Sequence, residues 1–116
     1  MGAPTPGGHS AGVDGLELEV WHRNDAVVLL VRGEIDLATA PELARTLDEI
    51  GEGQSVILDI AEVSSLDARG IAVVVDHDRK LRARGHGIAL RGASPLVRRV
   101  LEITGDTGLV EDLVDR

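Results

Sequence analysis

Residues 54–75 constrain the fold more than any other stretch. Gln54-Ser55-Val56-Ile57-Leu58-Asp59-Ile60 reads as an apolar strand, and a short polar break follows. Leu66-Asp67-Ala68-Arg69-Gly70 then leads into Ile71-Ala72-Val73-Val74-Val75, apolar almost all round. A buried strand that turns directly into a buried helix belongs to an α/β layer architecture. The start of such a helix presents free N–H groups and positive potential, which suits it to recognition or regulation. The residue after Asp67 is Ala68, which has no hydroxyl and no reactive atom.

The rest of the chain supplies further units of the same kind. Leu16 to Trp21 alternates apolar and polar residues, as a half-buried strand does. Arg23-Asn24-Asp25 reads as a turn into a second strand, Ala26 to Val31, so the pair forms a hairpin, and Gly33-Glu34-Ile35-Asp36 ends the second strand. Thr39-Ala40-Pro41-Glu42 carries three helix-start signals: a cap, a capping-box partner and an early proline. Ala40, Leu43, Ala44, Leu47 and Ile50 then keep helical spacing up to Gly51 or Gly53. After the central unit, Asp67 is expected to cap a helix whose inner face runs Ile71, Val74, Val75 and Leu81, with Asp76, Asp78, Arg79, Lys80 and Arg82 facing solvent. Ile88-Ala89-Leu90 is a short strand, and Ser94-Pro95 opens a third helix. Leu109 to Val114 fits either a strand or a helix.

The expected order is β-β-α-β-α-β-α, an α/β fold with a mixed, mostly parallel sheet of four or five strands. Loops after parallel strands gather at one sheet edge, so Asp36 and Asp67 should share it. Residues 1–14, rich in Gly, Pro and Ala, read as a flexible tail ahead of one domain over 15–116.

Composition excludes several function classes. One Trp and no Phe or Tyr leave no stacking platform for single-stranded nucleic acid. A formal net charge of −8 also disfavours direct nucleic-acid binding and favours basic protein partners. No cysteine is present for a thiolate metal site or a thiol nucleophile. No apolar run approaches the ~20 residues of a membrane span, so no membrane insertion is expected. His9, His22, His77 and His86 lack metal-ligand spacing, and no phosphate loop or nucleophile elbow occurs, so neither metal, cofactor nor catalysis is expected.

From Val28 onward the chain resembles the STAS domain, the fold of bacterial anti-sigma-factor antagonists. Gly33-Glu34-Ile35-Asp36 with Thr39-Ala40-Pro41-Glu42-Leu43 is similar to that family's Gly-Glu-hydrophobic-Asp turn and first helix. Leu58-Asp59-Ile60-Ala61-Glu62-Val63 is similar to its third strand. Leu66-Asp67-Ala68-Arg69-Gly70-Ile71 stands where the family usually has hydrophobic-Asp-Ser-Ser-Gly-hydrophobic. Gly92-Ala93-Ser94-Pro95-Leu96-Val97 and Leu101-Glu102-Ile103-Thr104-Gly105 are similar to its third helix.

The resemblance implies a cytoplasmic, bacterial, partner-switching regulator of transcription. A typical member binds an anti-sigma factor that is also a serine kinase, and so frees the sigma factor. Phosphorylation of the first serine of Asp-Ser-Ser-Gly adds roughly −1.5 to −2 charges in the interface and ends the contact. Here that serine is replaced by Ala68 and the second serine by Arg69. The resemblance therefore implies a partner-binding surface of Asp36, Thr39, Ser64, Ser65, Asp67, Ala68, Arg69 and Gly70 that lacks the usual off-switch. Arg69, a cation at a helix start, opposes the macrodipole and calls for an acidic neighbour or partner; Asp36 and Asp67 are the intramolecular candidates. Two other readings stand beside this one. Some STAS domains sense nucleotides or lipids, or serve lipid transport as a cytosolic subunit. Asp36 and Asp67 could also act as a catalytic carboxylate pair, but no nucleophile or ordered base accompanies them.

Overall fold

The computed structural model describes residues 9–104. Five strands form one sheet in the order β1-β2-β3-β4-β5: β1 (His9–Val13), β2 (Leu16–His22), β3 (Ala26–Ile35), β4 (Ser55–Leu66) and β5 (Ile88–Arg91). β1 pairs antiparallel with β2, and β2 with β3, whereas β3/β4 and β4/β5 are parallel. Three helices complete the fold: α1 (Ala40–Ile50), α2 (Ala68–Arg82) and α3 (Pro95–Thr104).

The sheet begins inside the stretch read from sequence as a tail. Val13 pairs with Leu16 across the two-residue turn Asp14-Gly15, and His9 lies opposite Val20. Asp-Gly between extended segments is a strong short-range hairpin signal, and Gly15 takes the positive φ of 88° that it supplies. Residues 1–8, and Leu109 to Val114 with the rest of 105–116, lie outside the described residues.

β4 is longer than the expected Val56–Ile60 and carries Ser64, Ser65 and Leu66 within the strand. Its pairing with β3 runs from Ala26↔Ser55 to Ile35↔Leu66, with register shifts between Leu30 and Arg32 and between Gly33 and Glu34. Gly33 has φ +109°, and its amide neighbour Glu34 donates to the Gly15 carbonyl at 2.9 Å. Gly33 therefore has to be glycine: the backbone conformation and the approach of Gly15 both leave no room for a side chain.

One face of the sheet supplies the core. Leu16, Leu18 and Val20 of β2, Val27, Leu29 and Val31 of β3, Val56, Leu58 and Ile60 of β4 and Ile88 and Leu90 of β5 are all buried. Leu43 and Leu47 of α1, Ile71, Val74 and Leu81 of α2, and Val97 and Leu101 of α3 pack into the same cluster. Successive right-handed crossovers that advance in one direction across a sheet put their helices on one face, which is why the core is single. The other face carries the ion pairs Arg32–Glu19 at 3.4 Å, Arg32–Glu62 at 3.3 Å and Arg91–Asp59 at 3.0 Å.

Asp78 corrects the expected solvent face of α2. It is buried, and its carboxylate accepts the Ile88 amide at 2.8 Å and Arg82 Nε at 2.8 Å. The side chain thus ties the last turns of α2 to the start of β5.

Candidate partner-binding site

Parallel pairing of β3 and β4 delivers both following turns to the same rim. Ile35 and Leu66 are the last pair of the ladder, and the Asp67 amide donates to the Ile35 carbonyl at 3.0 Å. Asp36 and Asp67 therefore share an edge, as their positions after parallel strands require.

The Asp36 turn is held from within. Asp36 Oδ1 accepts the amides of Ala38 at 3.0 Å and Thr39 at 3.1 Å. Thr39 Oγ1 accepts the Asp36 amide at 2.9 Å and donates to the Glu34 carbonyl at 2.7 Å. Thr39 is buried, so its hydroxyl serves the turn and is not offered at the surface. It forms no side-chain cap of α1, and Glu42 pairs with Arg45 in place of closing a capping box. The exposed apolar residue of this turn is Leu37, at 64% exposure.

Asp67 caps α2 as its sequence position demands. Its Oδ1 accepts the amides of Arg69 at 2.9 Å and Gly70 at 3.1 Å. Ala68 opens the helix and is exposed, as are Asp67, Arg69 and Ala72. Gly70 is buried against Ile35 and Leu66, which leaves it a packing role and no surface one. Ser64 and Ser65 are exposed near the end of β4, and Ser64 Oγ donates to the Gly33 carbonyl at 3.2 Å.

Of the acidic neighbour or partner expected for Arg69, neither intramolecular candidate, Asp36 or Asp67, pairs with it. Asp67 and Asp36 each turn Oδ1 to backbone amides, and among the described residues no ion pair is formed by the Arg69 guanidinium. Arg69 is exposed on this rim, as are Leu37, Ala38, Ala68 and Ala72. Among the described residues no group of three or more His, Asp or Glu side chains is placed to hold a metal ion. No helix among them is long and apolar enough to cross a membrane.

His77 is the polar residue that the sequence pattern concealed. It is buried on the inner side of α2, between Val74 and Leu81. Helical spacing from Val74 and Leu81 would have placed positions 77 and 78 on the inner face. Burial lowers its pKa below the usual value, opposed by a hydrogen bond to the Gly51 backbone and by the Asp48 charge.

A five-stranded mixed sheet with such a rim at the ends of its parallel strands defines a class that comparison makes specific. The family described as "Mlab, STAS domain" matches residues 19–111. An anti-sigma-B factor antagonist of Listeria monocytogenes is 34% identical over 99 residues, covering 83% of this chain and 87% of that protein. An anti-sigma-B factor antagonist of Bacillus subtilis is 26% identical over 101 residues, covering 86% and 89%. The crystal structure of an anti-sigma factor antagonist from Mycobacterium paratuberculosis shares the fold with a TM-score of 0.73, at 23% identity over 90% of this chain and 88% of that one. Unphosphorylated SpoIIAA, an anti-sigma factor antagonist, does so with a TM-score of 0.70, at 23% identity over 85% and 87%. The chain belongs to the STAS domain family and is of the anti-sigma-factor antagonist type.

Proposed function

We propose that this chain is a non-catalytic regulator that binds an anti-sigma factor and does so without the phosphorylation switch. The names of its relatives support an anti-sigma factor as the partner class. The partner carries a serine-kinase-like domain and docks in the cytoplasm on the rim of the Asp36–Thr39 turn, residues 64–70 and α2. Asp36 and Asp67 hold the rim in shape, Leu37, Ala68 and Ala72 give it a small apolar surface, and Arg69 sets its charge.

The observation that carries the reading is Ala68. It stands exposed at the first residue of α2, on the rim that both parallel strands deliver, and it offers only a methyl group. A phosphate there would sit well on the helix N-terminus by itself. Its disruptive effect arises in the complex, where a doubly charged group meets a packed partner and loses its water. With Ala68 that event is closed off, and the contact is constitutive.

Incubating the chain with its cognate anti-sigma factor and ATP tests this. Wild type stays unlabelled and bound, whereas Ala68→Ser becomes labelled and dissociates. Phosphate mapped to Ser64 or Ser65 of the wild type would move the switch to β4 and end the constitutive reading. Failure to bind any anti-sigma factor of the same cell would end the reading as a whole.

A further inference from the structure

We infer that the tip of the β1–β2 hairpin, Val13-Asp14-Gly15, is a further part of the partner-binding rim. There it takes an apolar side chain of the anti-sigma factor that stands next to a lysine or arginine. This role rests on the anti-sigma-factor reading, whose surface it extends. The family match starts at Glu19, so β1 and this turn lie ahead of it.

Antiparallel pairing of β2 with β3 carries the tip to the rim. Leu16 is opposite Gly33, so the turn ahead of Leu16 lies level with the end of β3. The Gly15 carbonyl accepts the Glu34 amide at 2.9 Å, and the Glu34 carbonyl accepts Thr39 Oγ1 at 2.7 Å. A Cβ on Gly15 would lie 3.9 Å from Thr39 Cγ2. The hairpin tip is thus tied to the turn that carries Leu37. A surface held in place before binding loses little ordering entropy when a partner arrives.

Exposure singles out Val13. Among the described residues the large apolar side chains left exposed are Val13 at 45%, Leu37 at 64%, Leu96 and Ile103. Leu96 and Ile103 belong to α3, whereas Val13 and Leu37 stand at the two turns joined through Glu34 and Thr39. Val13 is paired with Leu16, which is buried in the core. Cross-strand partners share a face, so Val13 stands on the helix side of the sheet. It extends the apolar part of the rim on that side. Asp14 is exposed and adjoins Val13 in the chain. A basic group beside the partner's apolar one meets this carboxylate at the edge of the contact, where charge acts chiefly on encounter.

Surface plasmon resonance of the full chain on its immobilised cognate anti-sigma factor tests the hairpin. Val13→Ala is expected to weaken binding about fivefold or more. Val13→Thr keeps the β-branched shape that suits the strand, and should weaken binding as well. Asp14→Asn keeps a residue that suits the turn, and should make the association rate less sensitive to salt. Ile103→Ala removes an exposed apolar side chain of α3 and should leave affinity unchanged. Ala68→Asp, measured alongside, separates this role from the reading it rests on. If Ala68→Asp weakens binding while both Val13 variants bind as wild type does, the hairpin is outside the interface and the rim stands. If the Val13 variants weaken binding and Ala68→Asp does not, the hairpin stands and Ala68 leaves the interface. An Ile103→Ala loss equal to that of Val13→Ala overturns the placement on the rim, and an unchanged salt dependence in Asp14→Asn overturns the basic neighbour. A wild-type chain that binds no anti-sigma factor ends both.

Discussion

Gly70 lies so close to Ile35 that a side chain on the first would occupy the space of the second. The same contact packs the start of α2 against the end of β3. A Cβ on Gly70 would also stand 2.9 Å from Leu66 Cδ1, so both partners of the last β3/β4 pair would have to move.

Gly70→Val is therefore expected to destabilise the fold by about 1–3 kcal/mol, the usual range for forcing atoms into a packed core. Urea denaturation measures it. An unchanged midpoint would show that α2 can shift away from the sheet at no cost. Gly53→Val, where nothing crowds the added Cβ, is the control.

Asp78 makes the second prediction. Replacing it with Ala leaves the Ile88 amide buried without its acceptor, at a cost of about 1–3 kcal/mol. Amide exchange at Ile88 should quicken more than at Leu58 in the adjoining strand. Equal protection at Ile88 in both proteins would show that the carboxylate does not hold β5.

His77 gives the fold a dependence on acidity. Its pKa is lowered chiefly by burial, so the unfolded chain binds this proton more readily than the folded one. Stability then rises with pH across the window between the lowered folded value and the unfolded value of about 6.5, and falls on acidification through it. Wild type should lose stability more steeply below about pH 6.5 than His77→Leu does. Parallel pH profiles for the two proteins would rule out this contribution.

Ala68→Asp separates folding from binding. The position is exposed in the first turn of α2, where a carboxylate adds at most about 0.3–1 kcal/mol of stability. The melting temperature should hold or rise slightly, while affinity for the anti-sigma factor falls. Unchanged affinity would place Ala68 outside the interface.

Asp67→Ala removes the acceptor of two amides, at a cost of about 1 kcal/mol typical of a lost cap. Thermal denaturation reads the loss. A variant as stable as wild type would show that water replaces the carboxylate fully.

Much of this protein could be read in its residues because local rules decided it. The two-residue period of β2, the helical spacing of α1 and the caps Asp67 and Ser94 depend on neighbours a few positions away. The Asp14-Gly15 hairpin was equally local, but the Gly- and Pro-rich stretch before it masked the signal. The absence of a hydroxyl at position 68 is a property of sequence alone. Tertiary packing decided what depends on distant partners. Thr39 reads as a cap until Glu34 and Asp36 take its hydroxyl, and Asp36 and Asp67 read as partners of Arg69 until Oδ1 of each turns to backbone amides. Asp78 looks like a surface charge until β5 arrives to donate its amide. Each outcome turns on which groups lose water together when the helices close on the sheet, and no window of sequence contains that.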